Sequence, residues 1–366
     1  MEKKLNVAIL FGGRSAEHEV SLQSAKNVCD AIDKEKYNPI LIGIDKNGRW
    51  LLNDGAKFLL NADDPKLIKL NSAGESVAMI PSSGGEIIEL NNDDSVGPKI
   101  DVVFPILHGT YGEDGTIQGL LKLADVPFVG AGVLGSAVGM DKDVMKRLLR
   151  DAGIKIGKFV AVRSSDIIPK YLEIESNLGA PFFVKPANMG SSVGISKVHN
   201  ADEYQKAIEE AFDFDTKIII EEFISGREIE CAVLGNAKPI ASTPGEIKPT
   251  YEFYSYEAKY IDENGAAAEI PAKISDDATK KIKEIAIKTF QVLECAGFGR
   301  VDSFLTESGE IFVNEINTIP GFTKISMYPK LFEASGISYT ELISRLIDLA
   351  IERFETERKL KTDYKD

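Results

Sequence analysis

The first 130 residues alternate short apolar runs with segments of helical apolar spacing, and this rhythm constrains the fold more than any other feature. Four runs have the character of β-strands: Asn6–Phe11, Pro39–Ile44, Lys99–Leu107 and Pro127–Val129. Two segments have helical spacing: Glu19–Ile32 and Thr116–Ala124. Strands that alternate with helices are typical of a parallel sheet with helices on both faces. We therefore predict an N-terminal doubly wound α/β domain, with loops and short strands between Asn53 and Asp94.

After this domain the pattern changes to that of a smaller α+β lobe and then to a third unit. A helix is predicted at about Asp141–Ala152, ending at Gly153. Strands separated by helical segments follow: Phe159–Val162, Phe182–Lys185, Val193–Val198 and Ile218–Phe223. The last unit has a strand near Glu228–Leu234, a long aromatic loop, a helix at Asp277–Cys295, two strands and a terminal helix. A chain of 366 residues is long for one core, and we predict three units: 1–135, 136–225 and 226–366.

Composition and charge narrow the possible functions. A formal net charge of −14 repels phosphate backbones, so nucleic-acid binding is disfavoured and any anionic ligand needs a local cluster of Lys and Arg. No apolar run approaches the roughly 20 residues that span a bilayer, and the run after Lys3-Lys4 fits a buried first strand better than a signal peptide. Three widely separated cysteines predict reduced thiols and a cytoplasmic location, and three histidines without HExxH spacing argue against zinc.

The most informative local pattern lies at residues 299–317. Two strand-like runs, Arg300–Leu305 and Ile311–Asn317, flank a segment in which Ser308-Gly309 predicts a turn. If the hairpin is centred on that dipeptide, opposed residue numbers sum to 617, so that Asp302 faces Glu315 and Arg300 faces Asn317. Facing acids destabilise a hairpin unless a cation neutralises them, and two carboxylates with an amide oxygen suit Mg²⁺. The alternative is two solvated acids on an exposed edge, and a register shifted by one residue would separate them.

A possible phosphate-binding segment lies in the middle of the chain. The strand-like run Phe182–Pro186 carries Lys185 and is followed by Ala187–Gly194, which is rich in glycine and serine. Such residues let backbone N–H groups approach phosphate oxygens, and the lysine adds a point charge. The lysine precedes the glycines, so the segment is not a Walker A loop. An ordinary Gly-Ser hairpin turn is the alternative.

Other candidates for a nucleotide site are weaker when considered singly. Lys142 lies in the first turn of a predicted helix, where the helix dipole does not favour a lysine. Lys259 lies in a long aromatic segment, 246–268, which is either a functional lid or an ordered surface excursion. Glu221–Ile224 and Glu228 end and follow a strand, where backbone groups could face adenine and a glutamate could reach a ribose hydroxyl. An exposed lysine and solvated acids are the alternatives.

Taken in order, these elements resemble the ATP-grasp superfamily, and the chain is similar to the D-alanine–D-alanine ligase family from end to end. The segments that carry the resemblance are Gly12–Ser21, Leu107–Gly109, Gly112–Gly115, Gly190–Gly194, Tyr256–Tyr260, Gly299–Asp302, Asn314–Thr318 and Pro320-Gly321. The resemblance implies a two-lobed ATP-grasp fold after the N-terminal domain. It also implies ATP-dependent joining of two D-alanines through an acyl phosphate, for peptidoglycan precursors, in a cytoplasmic homodimer.

The resemblance further implies roles for residues that would bind ATP and metal. Three lysines would hold the ATP phosphates: Lys142, Lys185 and Lys259. The backbones of Glu221 and Ile224 would face adenine, and Glu228 would bind ribose. Three side chains would ligate two Mg²⁺ ions, or Mn²⁺, with the second as the bridge: Asp302, Glu315 and Asn317.

The remaining implied roles concern the amino-acid substrates. Glu17 would bind the first D-alanine's ammonium group near His108. Arg300 and the N–H of Gly321 would form an oxyanion hole, and Ser326 would help to bind the second D-alanine's carboxylate. A hydrogen-bonded chain would join the lid to the substrate: Ser191, Tyr260 and Glu17.

Two alternatives remain open on the sequence. Tyr260 favours an amino-acid product, since relatives that make D-alanyl-D-lactate tend to carry phenylalanine there, but D-serine or D-lactate could still be the second substrate. A nucleotide-binding regulatory protein without turnover is the alternative from another class. The complete set of metal and phosphate residues argues against it.

Overall fold

The computed structural model describes residues 3–53, 58–61, 64, 67–90, 95–249, 266–323, 325–361 and 363–364. Its N-terminal sheet has the strand order β7-β6-β3-β2-β1-β8. The strands of this region are β1 Leu5–Gly12, β2 Tyr37–Ile44, β3 Trp50–Asn53, β4 Leu59–Leu60, β5 Lys69–Leu70, β6 Glu75–Met79, β7 Ile87–Glu89 and β8 Val102–Ile106. The short strands β4 and β5 pair only with each other in the described part of the chain. The helices are α1 His18–Ala31, α2 Thr116–Leu123, α3 Val133–Met140 and α4 Lys142–Asp151.

The predicted parallel pairing is present in the half of the sheet that contains β1, β2 and β8, but not in the other half. Strand β1 pairs in parallel with both β2 and β8, whereas β3, β6 and β7 continue the sheet in antiparallel pairs. The turn at residues 45–49 is too short for a helical crossover, so the chain returns antiparallel after β2. The strand predicted at Pro127–Val129 is reduced to one parallel bridge between Phe128 and Val103. The sheet is therefore mixed.

The middle of the chain forms a separate four-stranded antiparallel sheet of order β11-β10-β12-β9. Its elements are β9 Phe159–Arg163, α5 Tyr171–Leu178, β10 Phe182–Pro186, β11 Ser196–Val198, α6 Ala201–Phe214 and β12 Lys217–Glu222. Helix α6 is amphipathic, and its buried residues pack on one face of the sheet together with Phe182 and Val184. This arrangement agrees with the predicted α+β lobe.

A third sheet of order β16-β15-β13-β17-β18, with β14 paired to β13, contains the hairpin predicted from the sequence. Its elements are β13 Arg227–Gly235, β14 Ile240–Ala241, β15 Gly245–Pro249, β16 Ala266–Glu269, α7 Asp276–Val292, β17 Gly297–Leu305, β18 Ile311–Asn317, α8 Met327–Glu333 and α9 Tyr339–Arg358. Ser275 caps α7 by accepting a hydrogen bond from Ala278 N. Helix α7 packs on one face of the sheet, and the site residues lie on the other.

The N-terminal and C-terminal parts of the chain share an apolar core. One buried cluster combines Val7 and Ile9 of β1 with Leu342, Leu346 and Ile347 of α9. Because the last helix covers the first sheet, the two ends of the chain are packed together. The division into units at residues 135 and 225 stays a prediction.

Candidate active site

The hairpin β17–β18 brings the predicted polar residues together. Arg300 is paired with Asn317, and Asp302 with Glu315, as the sequence predicts. The predicted register fails nearer the turn, because it would oppose Ser303 to Asn314 whereas the structure pairs Ser303 with Val313.

Two local features explain this difference. Thr306 N donates to Glu310 O at 2.9 Å, so the loop has three residues, 307–309, and not two. Gly309 adopts a φ of 80°, which suits a three-residue turn. This longer loop shifts the outer register by one residue, and a β-bulge beyond Asp302 restores the predicted pairing at the site.

Arg300 is the main cation on this face of the sheet. Its Nε and Nη2 donate to the two carboxylate oxygens of Asp302 at 2.8 and 2.7 Å. Its Nε also lies 3.0 Å from Glu230 Oε2, and Asn317 Nδ2 donates to Asp302 Oδ2 at 3.0 Å. Asp302 is buried, so this bidentate pairing offsets a charge that would otherwise be costly.

The donor chemistry of the hairpin fits a divalent cation. Asp302 and Glu315 face each other, and Asn317, whose Nδ2 donates to Asp302, carries an amide oxygen as a third candidate donor. Mg²⁺ favours such hard oxygen ligands and commonly keeps several waters. A cation at Asp302 would share that carboxylate with Arg300. The residues that the structure describes contain no group of three or more His, Cys, Asp or Glu side chains suited to a metal.

Two of the predicted phosphate-binding lysines point into the same region. Lys142 Nζ donates to Met189 O at 2.7 Å and lies 3.6 Å from Glu315 Oε2. Burial lowers the pKa of Lys142, although Glu315 opposes the effect. Lys185 Nζ lies 2.5 Å from Glu221 Oε2, and its side chain is 9% exposed. The lysines therefore belong to one buried network with the hairpin.

A third lysine in this network has no role in the sequence prediction. Lys146 lies four residues after Lys142 on α4, and its Nζ donates to Glu221 Oε1. Residues four apart share one helix face. That spacing is the signal by which Lys146 could have been found, but an isolated helical lysine is usually solvated, and the sequence does not show that this face is buried.

The predicted adenine and ribose residues lie at the junction of the central and C-terminal sheets. Glu221 is near the end of β12, and its carboxylate is held by lysines as described above. A Cβ placed on Gly157 would lie 3.1 Å from Glu221 Oε1 and 3.2 Å from Ile224 Cδ1, so a glycine leaves space beside both residues. Glu228 is two residues before Glu230 on β13, and alternation along the strand places them on one face.

Glu17 and Ser191 meet between the first sheet and the glycine-rich loop. Ser191 Oγ donates to Glu17 Oε1, and Glu17 is buried. A Cβ on Gly109 would lie 2.6 Å from Glu17 Oε2, and one on Gly190 would lie 3.1 Å from it. Glycines at these two positions therefore make room for the carboxylate, while Ser191 itself has a positive φ of 53°.

His108 and Glu113 contact the backbone C=O and N–H groups of Ile319, in the C-terminal part of the chain. His108 Nδ1 lies 2.9 Å from Ile319 O, and Ile319 N donates to Glu113 Oε1 at 3.0 Å. Burial lowers the pKa of His108 to about 4. Burial and the charge of Glu17 raise the pKa of Glu113 to about 8. Glu113 lies in a segment that carries the family resemblance, but the sequence prediction assigns it no role.

Gly321 and Ser326 are also brought together. Ser326 Oγ accepts a hydrogen bond from Thr323 N at 3.0 Å, and a Cβ on Gly321 would lie 2.9 Å from the same oxygen. The loop therefore excludes a larger residue at position 321 unless Ser326 moves. The predicted Lys259 and Tyr260 lie outside the described residues.

The region described contains no helix long and apolar enough to span a membrane.

Comparisons with known proteins agree over the whole chain. A model described as "D-ala D-ala ligase N-terminus" matches residues 6–131, and one described as "D-ala D-ala ligase C-terminus" matches residues 148–348. The chain is 56% identical to a D-alanine–D-alanine ligase of Oceanobacillus iheyensis over 367 aligned residues, which cover 100% of both chains. It is 55% identical to D-alanine–D-alanine ligase A of Escherichia coli K12, with 98% of this chain and 99% of that protein covered.

Solved structures give the same result. The D-alanine–D-alanine ligase of Coxiella burnetii superposes with a TM-score of 0.84 at 38% identity and covers 98% of this chain and 97% of its own. The VanG D-Ala:D-Ser ligase of Enterococcus faecalis has a TM-score of 0.81 at 40% identity, with 95% and 100% covered. The fold and the site define an ATP-grasp enzyme. Within that class, the chain belongs to the D-alanine–D-alanine ligase family.

Proposed function

We propose that this chain uses ATP to join two molecules of D-alanine into D-alanyl-D-alanine, a peptidoglycan precursor, with release of ADP and phosphate. The observation that carries the proposal is the pairing of Asp302 with Glu315, with Arg300 beside the first acid and Lys142 beside the second. This brings acids and a guanidinium on the hairpin together with a lysine from α4, as a phosphoryl transfer followed by acyl transfer requires.

The nucleotide lies between the central and C-terminal units, 136–225 and 226–366. Lys142, Lys185 and Lys259 bind its phosphates, and their charges neutralise the transferring group. Backbone groups of Glu221 and Ile224 face adenine. Glu228 binds ribose.

The proposed metal ligands are Asp302, Glu315 and Asn317, which would hold two Mg²⁺ ions, or Mn²⁺. When bound, such ions neutralise charge on the phosphate oxygens. The supporting observation is that Asp302 and Glu315 face each other on the hairpin, with Asn317 beside Asp302.

The amino-acid substrates lie between unit 1–135 and the hairpin. The first D-alanine is bound through its ammonium group by Glu17, near His108, and its carboxylate attacks the γ-phosphate to give D-alanyl phosphate. This intermediate hydrolyses in open water, so the site must exclude water before the second D-alanine attacks.

The second D-alanine attacks as a free amine, and phosphate leaves. Its carboxylate is bound with the help of Ser326. Arg300 and the N–H of Gly321 stabilise the tetrahedral oxyanion, a kind of contact worth roughly 3–4 kcal/mol. Ser191 and Tyr260 join Glu17 in a hydrogen-bonded chain, and the Ser191–Glu17 hydrogen bond supports this assignment.

We further propose that the enzyme is cytoplasmic and forms a homodimer. The relevant support is its family membership together with the predicted reduced state of its cysteines.

The test is phosphate release from ATP and Mg²⁺ in the presence of D-alanine, L-alanine or no amino acid. We expect phosphate release only in the reaction that contains D-alanine, with D-alanyl-D-alanine as the product. Binding of ATP without release when D-alanine is added would instead indicate a nucleotide-binding regulatory protein. The 40% identity to a D-Ala:D-Ser ligase gives a reason to include D-serine and D-lactate as second substrates at several pH values. If the main product were a dipeptide of D-alanine and D-serine, or a depsipeptide of D-alanine and D-lactate, the proposed specificity for D-alanine as the second substrate would be refuted.

A further inference from the structure

The carboxylate of Glu221 is held by two lysines from different elements. Lys146, on α4, donates to Oε1, and Lys185, on β10, lies 2.5 Å from Oε2. Glu221 is 5% exposed. Burial alone would raise the pKa of this carboxyl, but the charges and hydrogen bonds of the two lysines lower it below its usual value. The carboxylate is therefore charged.

The two lysines differ in their access to the proposed nucleotide site between units 136–225 and 226–366, called the cleft below. The side chain of Lys185 is 9% exposed, and its Nζ also lies 3.5 Å from Asn314 Oδ1 at the hairpin. The side chain of Lys146 has 0% of its surface exposed. A ligand in the cleft can thus contact Lys185, whereas it meets Lys146 only through Glu221.

This difference matters when an anion arrives. A buried carboxylate that loses its cation is strongly destabilised, because no water replaces the lost partner. If Lys185 turned from Glu221 toward a phosphate, Glu221 would be left with Lys146. The second lysine therefore keeps the carboxylate compensated in both arrangements.

We infer that Lys146 is a positioning residue for nucleotide binding: it retains Glu221 in place while Lys185 is transferred from that carboxylate to the ATP phosphates. The inference rests on the proposed function, in which Lys185 binds ATP. Lys146 itself touches neither nucleotide nor substrate. Without it, Glu221 competes with the phosphates for Lys185.

The test is a double-mutant cycle on the binding of Mg²⁺-ATP without D-alanine, measured by calorimetric titration of the full chain. Lys146→Met should raise the Kd at least about tenfold, which corresponds to about 1.4 kcal/mol. The same change in a Glu221→Gln background should alter the Kd by less than about threefold, since the competing charge is gone. A structural role alone would weaken binding equally in both backgrounds.

The matched control is Arg353→Met, which removes a partly buried cation whose side chain is 14% exposed. Arg353 Nη2 donates to Phe128 O at 2.9 Å, on a different part of the fold. This variant should lower the melting temperature and leave the Kd unchanged. If Lys146→Met cannot be purified, Lys146→Gln takes its place, because its amide can still donate one hydrogen bond to Glu221.

The outcomes separate this inference from the function on which it rests. If the native protein bound Mg²⁺-ATP and released phosphate with D-alanine while Lys146→Met bound ATP as tightly, only this inference would be overturned. The inference would also be overturned if Lys146→Met weakened ATP binding equally in the native protein and in the Glu221→Gln background. Failure of the native protein to bind Mg²⁺-ATP would overturn both.

Discussion

Replacing Arg300 by alanine should destabilise the fold and slow the reaction for separable reasons. The guanidinium, on a side chain that is 18% exposed, pairs with Asp302 at 2.7 Å and Glu230 at 3.0 Å. These acids have side chains only 4% and 6% exposed. Removing one partner of a buried ion pair costs about 3–5 kcal/mol. The free energy of unfolding of Arg300→Ala should therefore fall by about that amount.

The effect on the rate follows from the proposed oxyanion role of Arg300. Loss of one preorganised donor costs about a hundredfold to a thousandfold in rate, so phosphate release at saturating substrate should drop at least about a hundredfold. ATP affinity should remain near native, because the proposed phosphate ligands Lys142 and Lys185 lie on α4 and β10. A fall in rate without loss of ATP binding thus identifies a role in the reaction steps.

Three measurements on one preparation test these statements: denaturant unfolding, phosphate release and calorimetric ATP titration. Arg300→Lys is the control, since it keeps the charge but loses the bidentate geometry. Compared with Arg300→Ala, this variant should recover part of the free energy of unfolding and little of the rate of phosphate release. Near-native release by Arg300→Ala would refute the oxyanion role, and lost ATP binding would show that the role is misplaced. An unchanged free energy of unfolding would refute the ion-pair argument.

Further predictions concern metal, product and pH. Glu315→Gln should abolish turnover because it removes a charge from the proposed metal site, and near-normal phosphate release would exclude Glu315 as a ligand. The Tyr260→Phe variant should still join two D-alanines but should use D-lactate more readily as the second substrate, and the ratio of the two products measures this change. An unchanged ratio would contradict the proposed hydrogen-bonded chain. The pKa of His108 is about 4 in the fold against about 6.5 when unfolded, so the unfolded chain protonates first and stability falls as pH drops from 6.5 to 4. The free energy of unfolding of His108→Gln, measured with denaturant, should not show this part of the loss of stability at low pH.

The hairpin shows which structural features the local sequence can predict and which it cannot. Alternating apolar residues and the Ser308-Gly309 turn predict the two strands, and they place Asp302 opposite Glu315 as observed. The register between that pair and the turn is wrong by one residue, because loop length and bulge position depend on backbone geometry that the side-chain pattern does not encode. The pairing at the site is right because the bulge offsets the longer loop.

Strand and helix periodicity, together with the family resemblance of the ordered motifs, were therefore sufficient to predict the fold class and the facing pair Asp302 and Glu315. The roles of the site residues stay predictions. Tertiary structure alone decided which polar side chains are buried together. Lys146 meets Glu221 across 75 residues, and Glu113 meets Ile319 across 206. Such contacts arise when separate elements pack, as α9 does on the first sheet. Their geometry depends on long-range packing, which short-range spacing along a chain cannot specify.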